Sequence, residues 1–273
     1  MESVEKNVES TVRVKEMEQI VCHSSRDGSP EPVLFYHPGG TAPVPLVVGL
    51  HTWSFDRHNQ VEGMLPLCRE RGWALLLPEF RGPNLAGNPR ACQAGGSPVA
   101  IQDVLDAVEL VAGRYPIDRQ SLFLLGGSGG GHMSLMVAAS TPELWSGVSS
   151  WVPITDLAAW YEQNPDYSDN IAACCGGAPG SSPAADREYR ERSPIFRIEA
   201  LSRVNLSLHH GRFDQVVHYS HSWKLALALE QSGAQQFFFD LFDGEHDLRY
   251  DSAFRWFDAV LKKDNDLGGR LTG

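Results

Sequence analysis

A short glycine-rich turn constrains this chain more than any other stretch. The apolar run at 122–125 leads directly into the residues GGSGG at 126–130, and an amphipathic segment follows. The spacing Gly126-x-Ser128-x-Gly130 is typical of a nucleophile elbow, a sharp strand-to-helix turn that exposes one serine. Glycine suits the flanking positions because a Cβ there would collide with neighbouring chain. The alternative is a merely flexible turn, since the chain contains 26 glycines.

The rest of the chain alternates between short apolar runs and helix-length amphipathic patterns. Continuous apolar runs are typical of strands that are buried on both faces of a parallel sheet. The alternation predicts an α/β fold, with a mostly parallel central sheet and helices on both faces. Predicted strands lie around 12–21 and at 33–36, 45–50, 74–77, 122–125, 148–152, 204–208 and 237–242. Predicted helices lie at 61–71, 101–114 (with Ser97 and Pro98 at its start), 133–140, 219–231 and 253–261.

One stretch, residues 156–193, interrupts this alternation and is called the insertion below. It follows the predicted strand at 148–152 and is irregular, with a Cys-Cys-Gly-Gly run and several prolines. An irregular connection of this length is usually a functional lid or a mobile loop. Its aromatic residues Trp160, Tyr161 and Tyr167 would then wall a substrate pocket. The alternative is a solvated insertion with these rings tucked onto the surface.

Length, charge and composition limit the class of protein. At 273 residues without an internal repeat, we expect one domain over 1–273, with a loose charged arm at 1–10. A formal net charge of −11 without a basic stripe argues against nucleic-acid binding. The sequence has no apolar run that could span a membrane and no signal-like start, so we expect a cytoplasmic protein. A mature secreted form and a homo-oligomer both stay open.

The cysteines and histidines form no recognisable metal or redox motif. The five cysteines are scattered without C-x-x-C spacing, which fits a reduced compartment, and the adjacent pair Cys174-Cys175 is read as incidental. Four histidines, His209, His210, His218 and His221, suggest a zinc site, and the spacing of the last two is compatible with ligation, but no pattern completes a tetrahedral zinc set. His132 also stands where a P-loop would need lysine and a dinucleotide fingerprint would need glycine. We therefore predict neither a metal nor a cofactor.

A base and an acid for Ser128 follow two later predicted strands. A serine hydroxyl needs an imidazole base that a carboxylate orients. The strand at 204–208 runs into a loop with Asp214, and the strand at 237–242 runs into a loop with His246. Since parallel strands present active residues at their carboxyl ends, we expect Asp214 and His246 to converge on Ser128. Alternative acids close to His246 in the sequence are Asp240, Asp243 and Asp247.

Two backbone amides are candidates for an oxyanion hole. One is the N–H of Gly129, which directly follows the nucleophile, and the other is the N–H of Trp53 after the strand at 45–50. His132 stands one helical turn beyond Ser128, and we expect it to be a packed or solvated helix residue rather than a pocket residue.

With these residues in place, the chain resembles α/β hydrolases, and it is most similar to the catalytic domain of the prolyl oligopeptidase family. It departs from the family at Thr52 and Glu245, where glycine is usual. Family peptidases also usually carry a large β-propeller ahead of this domain, and the 44 residues before Pro45 cannot form one. The shared pieces keep the family order over roughly 45–260: His51-Thr52-Trp53, Pro78-Glu79-Phe80-Arg81-Gly82, Gly126 to Gly130, Ser193-Pro194-Ile195, His210-Gly211 with Asp214 and Val217, and Gly244-Glu245-His246.

The resemblance implies a serine hydrolase with Ser128, Asp214 and His246 as its triad. Single-domain relatives of this kind are commonly esterases, so we expect cleavage of carboxylic esters through an acyl-enzyme. The substrate would be a small-molecule ester or, in the first alternative, a short peptide that an exopeptidase cleaves. The second alternative is a catalytically silent binding module with the hydrolase fold.

Overall fold

A twisted sheet at the centre of the molecule organises the fold. The computed structural model describes residues 14 and 16–270, with the side chains of 264–270 excepted. In this part of the chain eight strands pair in the order β1-β2-β4-β3-β5-β6-β7-β8. Strand β2 runs antiparallel to both its neighbours, and all other pairs are parallel. The strands are β1 Glu18–His23, β2 Pro30–Tyr36, β3 Val44–Leu50, β4 Ala74–Pro78, β5 Ile117–Gly127, β6 Gly147–Trp151, β7 Leu206–Gly211 and β8 Phe237–Phe242.

Helices cover both faces of this sheet. Alternate residues of the central strands point to opposite faces, so Leu46 and Val48 join one core and Val47 joins the other. Helices α2, α3 and α8 pack on the first core, and α1 and α9 pack on the second. No helix of the described chain is long and apolar enough to cross a membrane. The α-helices are α1 Val61–Arg71, α2 Pro98–Arg114, α3 Gly129–Ser140, α4 Leu157–Gln163, α5 Pro165–Cys175, α6 Pro183–Glu191, α7 Ile198–Leu201, α8 Ser220–Gln231 and α9 Tyr250–Arg270.

Apart from the opening strand, the strand and helix pattern predicted from the sequence is confirmed, with shifts of a few residues at most element ends and a last helix that runs nine residues beyond its predicted end. Of the opening strand predicted around 12–21, only the part from Glu18 onward is a strand, and Val14 is helical. Helix α2 begins as expected, because the Ser97 hydroxyl accepts the Ala100 N–H over 3.1 Å and Pro98 takes the first helical position. The predicted arm at 1–10 lies outside the described residues, as does Val12 of the predicted opening strand. The single domain over 1–273 stays a prediction.

The prediction of an irregular insertion was wrong. The insertion contains three helices, α4, α5 and α6. Pro165 and Pro183 take first-turn positions, where a missing N–H breaks no helical hydrogen bond. The side chains of Asp156 and Ser182 accept the first amides of α4 and α6, and Gly176 ends α5 with a φ of 79°. The residues that indicated a loop are therefore the starts and ends of helices.

The glycines of the elbow are required by close backbone packing. A Cβ on Gly126 would lie 2.1 Å from the carbonyl oxygen of Gly130, and a Cβ on Gly130 would lie 2.3 Å from that of Leu50. Neither backbone neighbour can move away as a flexible side chain could. The turn around Ser128 therefore accepts only glycine at these two positions.

Alanine at Gly126 is expected to lower the free energy of unfolding by about 3 kcal/mol or more, because the new methyl group meets backbone. Gly113 is the matched control: a Cβ there meets nothing within 4 Å. Gly113→Ala should raise stability by roughly 0.5–1 kcal/mol, since alanine is the better helix former. Urea unfolding of both variants measures the difference, and an unchanged midpoint for Gly126→Ala would contradict the packing argument.

Candidate active site

Ser128 lies between β5 and α3 in a strained backbone conformation. Its φ of 55° and ψ of −122° belong to a region that residues other than glycine rarely adopt. The Ser128 N–H donates to the carbonyl of Trp151 and its carbonyl accepts the N–H of His132, both over 2.9 Å. Strand β6 and helix α3 thus keep Ser128 in this strained conformation, and strained residues of this kind are common at functional sites.

Asp214 and His246 meet across the loops that follow β7 and β8. The Nδ1 of His246 lies 2.6 Å from the Oδ2 of Asp214. The other carboxylate oxygen accepts the N–H groups of Val216 and Val217 over 2.8 and 2.9 Å. The structure therefore brings together the acid and base residues that the sequence predicted, although 32 residues separate them.

The Asp214 carboxyl is held in its charged form. Burial alone would raise its pKa, but hydrogen bonds from His210 and His246 outweigh burial and hold the pKa well below the usual range. A charged Asp214 favours a proton on the Nδ1 of His246, which leaves Nε2 free to accept one. The pair can therefore serve as an oriented base.

His210 also contacts Asp214, whereas the sequence suggested it only as a zinc candidate and gave it no part in the triad. Its Nε2 lies 2.8 Å from the carbonyl of Val217 and 3.3 Å from the Oδ2 of Asp214. Its Nδ1 lies 2.7 Å from the hydroxyl of Ser222 on α8. The one available signal was the pair His210-Gly211 among the residues shared with the resembling family.

Ser128 and His246 line one cavity of about 220 Å³. The described structure has no direct hydrogen bond between the two side chains, and such contacts often tighten only when substrate binds. Among the described lining residues there is no Asp, Glu, Lys or Arg. The apolar part of the wall comes from Trp53, Phe55, Val152, Tyr167, Val216 and Leu248.

The Trp53 amide lies against the turn after the serine. A Cβ on Gly129 would come within 2.4 Å of the Trp53 nitrogen, so no larger residue fits there. No acceptor in the described part of the chain takes the N–H of either Trp53 or Gly129. Two unpaired N–H groups beside a serine are what an oxyanion hole requires.

With the exception of Tyr167, the other residues that the sequence suggested for the site do not line this cavity. Of the insertion's aromatic residues, Tyr167 lines the cavity. Trp160 is buried against Trp53, with ring centroids 5.0 Å apart, and Tyr161 packs on Tyr189. Among the alternative acids, Asp240 bonds His209, Asp243 pairs with Arg212, and Asp247 is exposed.

The histidines considered as zinc ligands have other partners. His218 bonds the hydroxyl of Ser220, and His221 bonds Gln163 and Thr155. Within the residues that the structure describes, no three His, Cys, Asp or Glu side chains converge as a metal site needs. Cys174 and Cys175 are buried free thiols, and burial raises the pKa of each to about 12.

His132 is a core residue, which leads to a prediction about pH. Burial lowers its pKa to about 4, although its Nε2 bonds the carbonyl of Arg192 over 2.7 Å. The unfolded value is about 6.5, so between pH 6.5 and 4 the unfolded chain binds a proton that the folded chain does not. Folding stability should therefore fall as the pH falls through this window.

We expect His132→Gln to reduce the acid-induced loss of stability by about 1–2 kcal/mol between pH 7 and pH 4.5. Glutamine can still donate to the Arg192 carbonyl, which keeps the hydrogen bond. Urea unfolding at the two pH values measures the loss, and the same change at the exposed His23 is the control. An identical loss in His132→Gln and in the unaltered protein would refute the prediction.

The family of this chain follows from its match to known sequences. The family model described as "Prolyl oligopeptidase family" matches residues 59–265, which is more than half of the chain. The chain belongs to the prolyl oligopeptidase family. The match includes the loops that carry Ser128, Asp214 and His246.

Curated relatives are about a quarter identical to this chain over the aligned residues. It is 27% identical over 161 residues to "Uncharacterized peptidase YtmA" of Bacillus subtilis, covering 59% of this chain and 60% of that protein. It is 25% identical over 195 residues to "Dipeptidyl aminopeptidase BIII" of Pseudoxanthomonas mexicana, covering 69% of this chain and 28% of that protein. The chain thus spans 60% of the first relative's length and just over a quarter of the second's.

Solved structures share its α/β-hydrolase fold. A puromycin-hydrolyzing peptidase of Mycobacterium tuberculosis superposes with a TM-score of 0.68 at 22% identity, over 90% of this chain and 38% of that one. The acylaminoacyl peptidase of Pyrococcus horikoshii superposes with a TM-score of 0.69 at 16% identity, over 88% and 39%. The resemblance inferred from the motifs is confirmed for both family and fold.

Proposed function

We propose that this chain is a serine peptidase that hydrolyses amide bonds of short peptides through an acyl-enzyme on Ser128. One observation carries the proposal: a strained serine and a buried carboxylate–imidazole pair meet at a single cavity. The arrangement has each of the parts that nucleophilic catalysis by serine needs, in a chain of the prolyl oligopeptidase family.

The reaction proceeds in two stages. The Ser128 oxygen attacks the carbonyl carbon while the Nε2 of His246 takes the hydroxyl proton, and Asp214 stabilises the imidazolium that forms. The N–H groups of Trp53 and Gly129 bind the oxyanion. His246 then gives its proton to the leaving amine, and the C–N bond breaks. Water attacks the acyl-enzyme in the same way, with His246 as base again, and releases the acid and free Ser128.

Amide cleavage is favoured over the ester cleavage expected from the sequence alone. The relatives named above are described as peptidases, and one of them as a puromycin-hydrolyzing peptidase. The expectation of a carboxylesterase depended on the resemblance to single-domain relatives, and the number of domains does not change the chemistry of the triad. Cleavage of esters without cleavage of amides would reverse this order.

The cavity supports an uncharged, apolar side chain on the acyl part of the substrate. Its lining contains aromatic and aliphatic residues, and the described lining residues include no Asp, Glu, Lys or Arg. Burial of an unpaired carboxylate or ammonium is costly, so charged side chains should be disfavoured. Tyr167 and Val216 are the residues expected to contact an apolar one.

Matched p-nitroanilides and p-nitrophenyl esters of the same acyl groups test this proposal. We expect turnover of aminoacyl anilides, with leucine or phenylalanine preferred over aspartate or lysine by about tenfold to a hundredfold in kcat/KM. Cleavage of the esters without any cleavage of the anilides would identify a carboxylesterase instead. A protein that cleaves neither and does not react with a fluorophosphonate would be the silent binding module.

A further inference from the structure

We propose that a chain of three side chains, Tyr250, Gln60 and Asn59, sets the direction of the Trp53 N–H. This side-chain chain is called the amide relay below. The inference rests on the proposed function, because it concerns the amide assigned there to the oxyanion. Asn59, Gln60 and Tyr250 act as positioning residues: they line the cavity and hold the loop that binds the oxyanion.

The amide relay connects two distant segments through three hydrogen bonds. The Tyr250 hydroxyl donates to the Oε1 of Gln60 over 2.7 Å, and the Nε2 of Gln60 donates to the Oδ1 of Asn59 over 3.1 Å. The same Oδ1 accepts the backbone N–H of Thr52 over 3.2 Å. Gln60 is buried, and burial raises the pKa of Tyr250 to about 12, so the hydroxyl stays protonated and can donate.

Thr52 is thereby held on both sides. Its N–H bonds Asn59, and its carbonyl oxygen lies 2.9 Å from the Nδ1 of His51 and accepts the Phe55 N–H over 3.4 Å. The peptide unit is planar, so the Trp53 N–H must point away from the Thr52 carbonyl. The Asn59 bond fixes the peptide unit before Thr52, and the contacts of the Thr52 carbonyl fix the unit after it. The amide relay therefore holds one of the two planes that together set where the Trp53 N–H points.

Tyr250 anchors the outer end of the amide relay beside the loop of His246. It is the first residue of α9, four positions beyond that histidine. Its ring lies against Gly63 of α1, where a Cβ would come within 2.3 Å of the tyrosine Cζ. The relay therefore joins the segment that carries the base to the loop that carries the oxyanion donor, across 190 residues of sequence.

Breaking the amide relay should slow the chemical step and leave substrate binding almost unchanged. Loss of a whole oxyanion donor costs about a hundredfold to a thousandfold in kcat, so a misdirected one should cost less. We expect Asn59→Leu to lower kcat about tenfold to a hundredfold and Tyr250→Phe about threefold to tenfold, each with KM within about threefold. The double variant should be no slower than Asn59→Leu, because both changes break the same relay.

Tyr115→Phe is the matched control. It also removes one tyrosine hydroxyl that hydrogen-bonds a side chain, that of Glu18, at the opposite end of the sheet. The control should keep the kcat of the unaltered enzyme. The pH–rate profile should stay the same in Tyr250→Phe and the unaltered enzyme, since the relay acts on the oxyanion and not on His246.

Two results would overturn the inference. One is a kcat of a folded Asn59→Leu variant that lies within twofold of the kcat of the unaltered enzyme. If Asn59→Leu does not fold, the same result in Tyr250→Phe would overturn the inference. The other is additive losses in the double variant. If the unaltered enzyme and the Tyr115→Phe control both cleave the anilides, the proposed function stands in either case. An unaltered enzyme that turns over no ester or anilide overturns the proposed function and this inference together.

Discussion

Replacement of Ser128 by alanine is expected to reduce kcat for anilide hydrolysis by about 10⁵- to 10⁶-fold. Without the hydroxyl no acyl-enzyme forms, and water would have to attack the substrate directly in a site shaped for a covalent step. The Trp53 and Gly129 amides and the cavity remain, so KM should change little. Steady-state kinetics of the purified variant measures both parameters.

Ser140→Ala is the control for this experiment. Ser140 ends the same helix, α3, and its hydroxyl bonds the carbonyl of Val137 rather than facing the cavity. Its removal should leave kcat within about twofold. A Ser128→Ala enzyme that keeps more than a thousandth of the original kcat would show that another residue or water carries the reaction.

Asp214→Asn is expected to have the second largest effect, a loss of about 10⁴-fold in kcat. An amide cannot hold the Nδ1 proton of His246 as a carboxylate does, so the imidazole takes the wrong tautomer and loses its counter-charge. The substitution keeps the size of the buried side chain, and the fold should persist. Kinetics on the best anilide, with urea unfolding in parallel, separates catalysis from stability.

Asp240→Asn and Asp247→Asn are the comparisons, because sequence reasoning left both as alternative acids. Asp240 bonds His209, and Asp247 is exposed. Each change should leave kcat within about threefold. If kcat falls in either variant by as much as in Asp214→Asn or more, the altered residue is the acid of the triad instead.

The sheet and the loops around the site could be predicted from sequence because local patterns determine them. Buried parallel strands require continuous apolar runs, and the glycines at 126 and 130 are required by backbone contacts of 2.1 and 2.3 Å. The loops after β7 and β8 follow directly from the strand positions, which is why Asp214 and His246 were placed on the correct side of the sheet.

The insertion could not be predicted in the same way because its signals have two meanings. Proline, serine and glycine indicate turns, and they also start and end helices. Pro165 and Pro183 begin helices, and Gly176 ends one. The helices between them are short, 7, 11 and 9 residues, so little periodicity remains to identify them.

The amide relay could not be predicted from the sequence, for a different reason. Its members are ordinary polar residues, and no spacing connects Tyr250 with Gln60 across 190 positions. His210 likewise gains a role only when the turn after β7 brings Asp214 back to within 3.3 Å of its ring. Contacts of this kind depend on how the finished elements pack, which no local pattern records.

The most direct test of the central claim is the site of covalent reaction. The protein is treated with a fluorophosphonate and digested, and the modified peptide is sequenced by mass spectrometry. We predict one adduct, on the Ser128 hydroxyl, which disappears in Ser128→Ala and forms far more slowly in Asp214→Asn. An adduct on any other residue, or labelling that survives in Ser128→Ala, would contradict it.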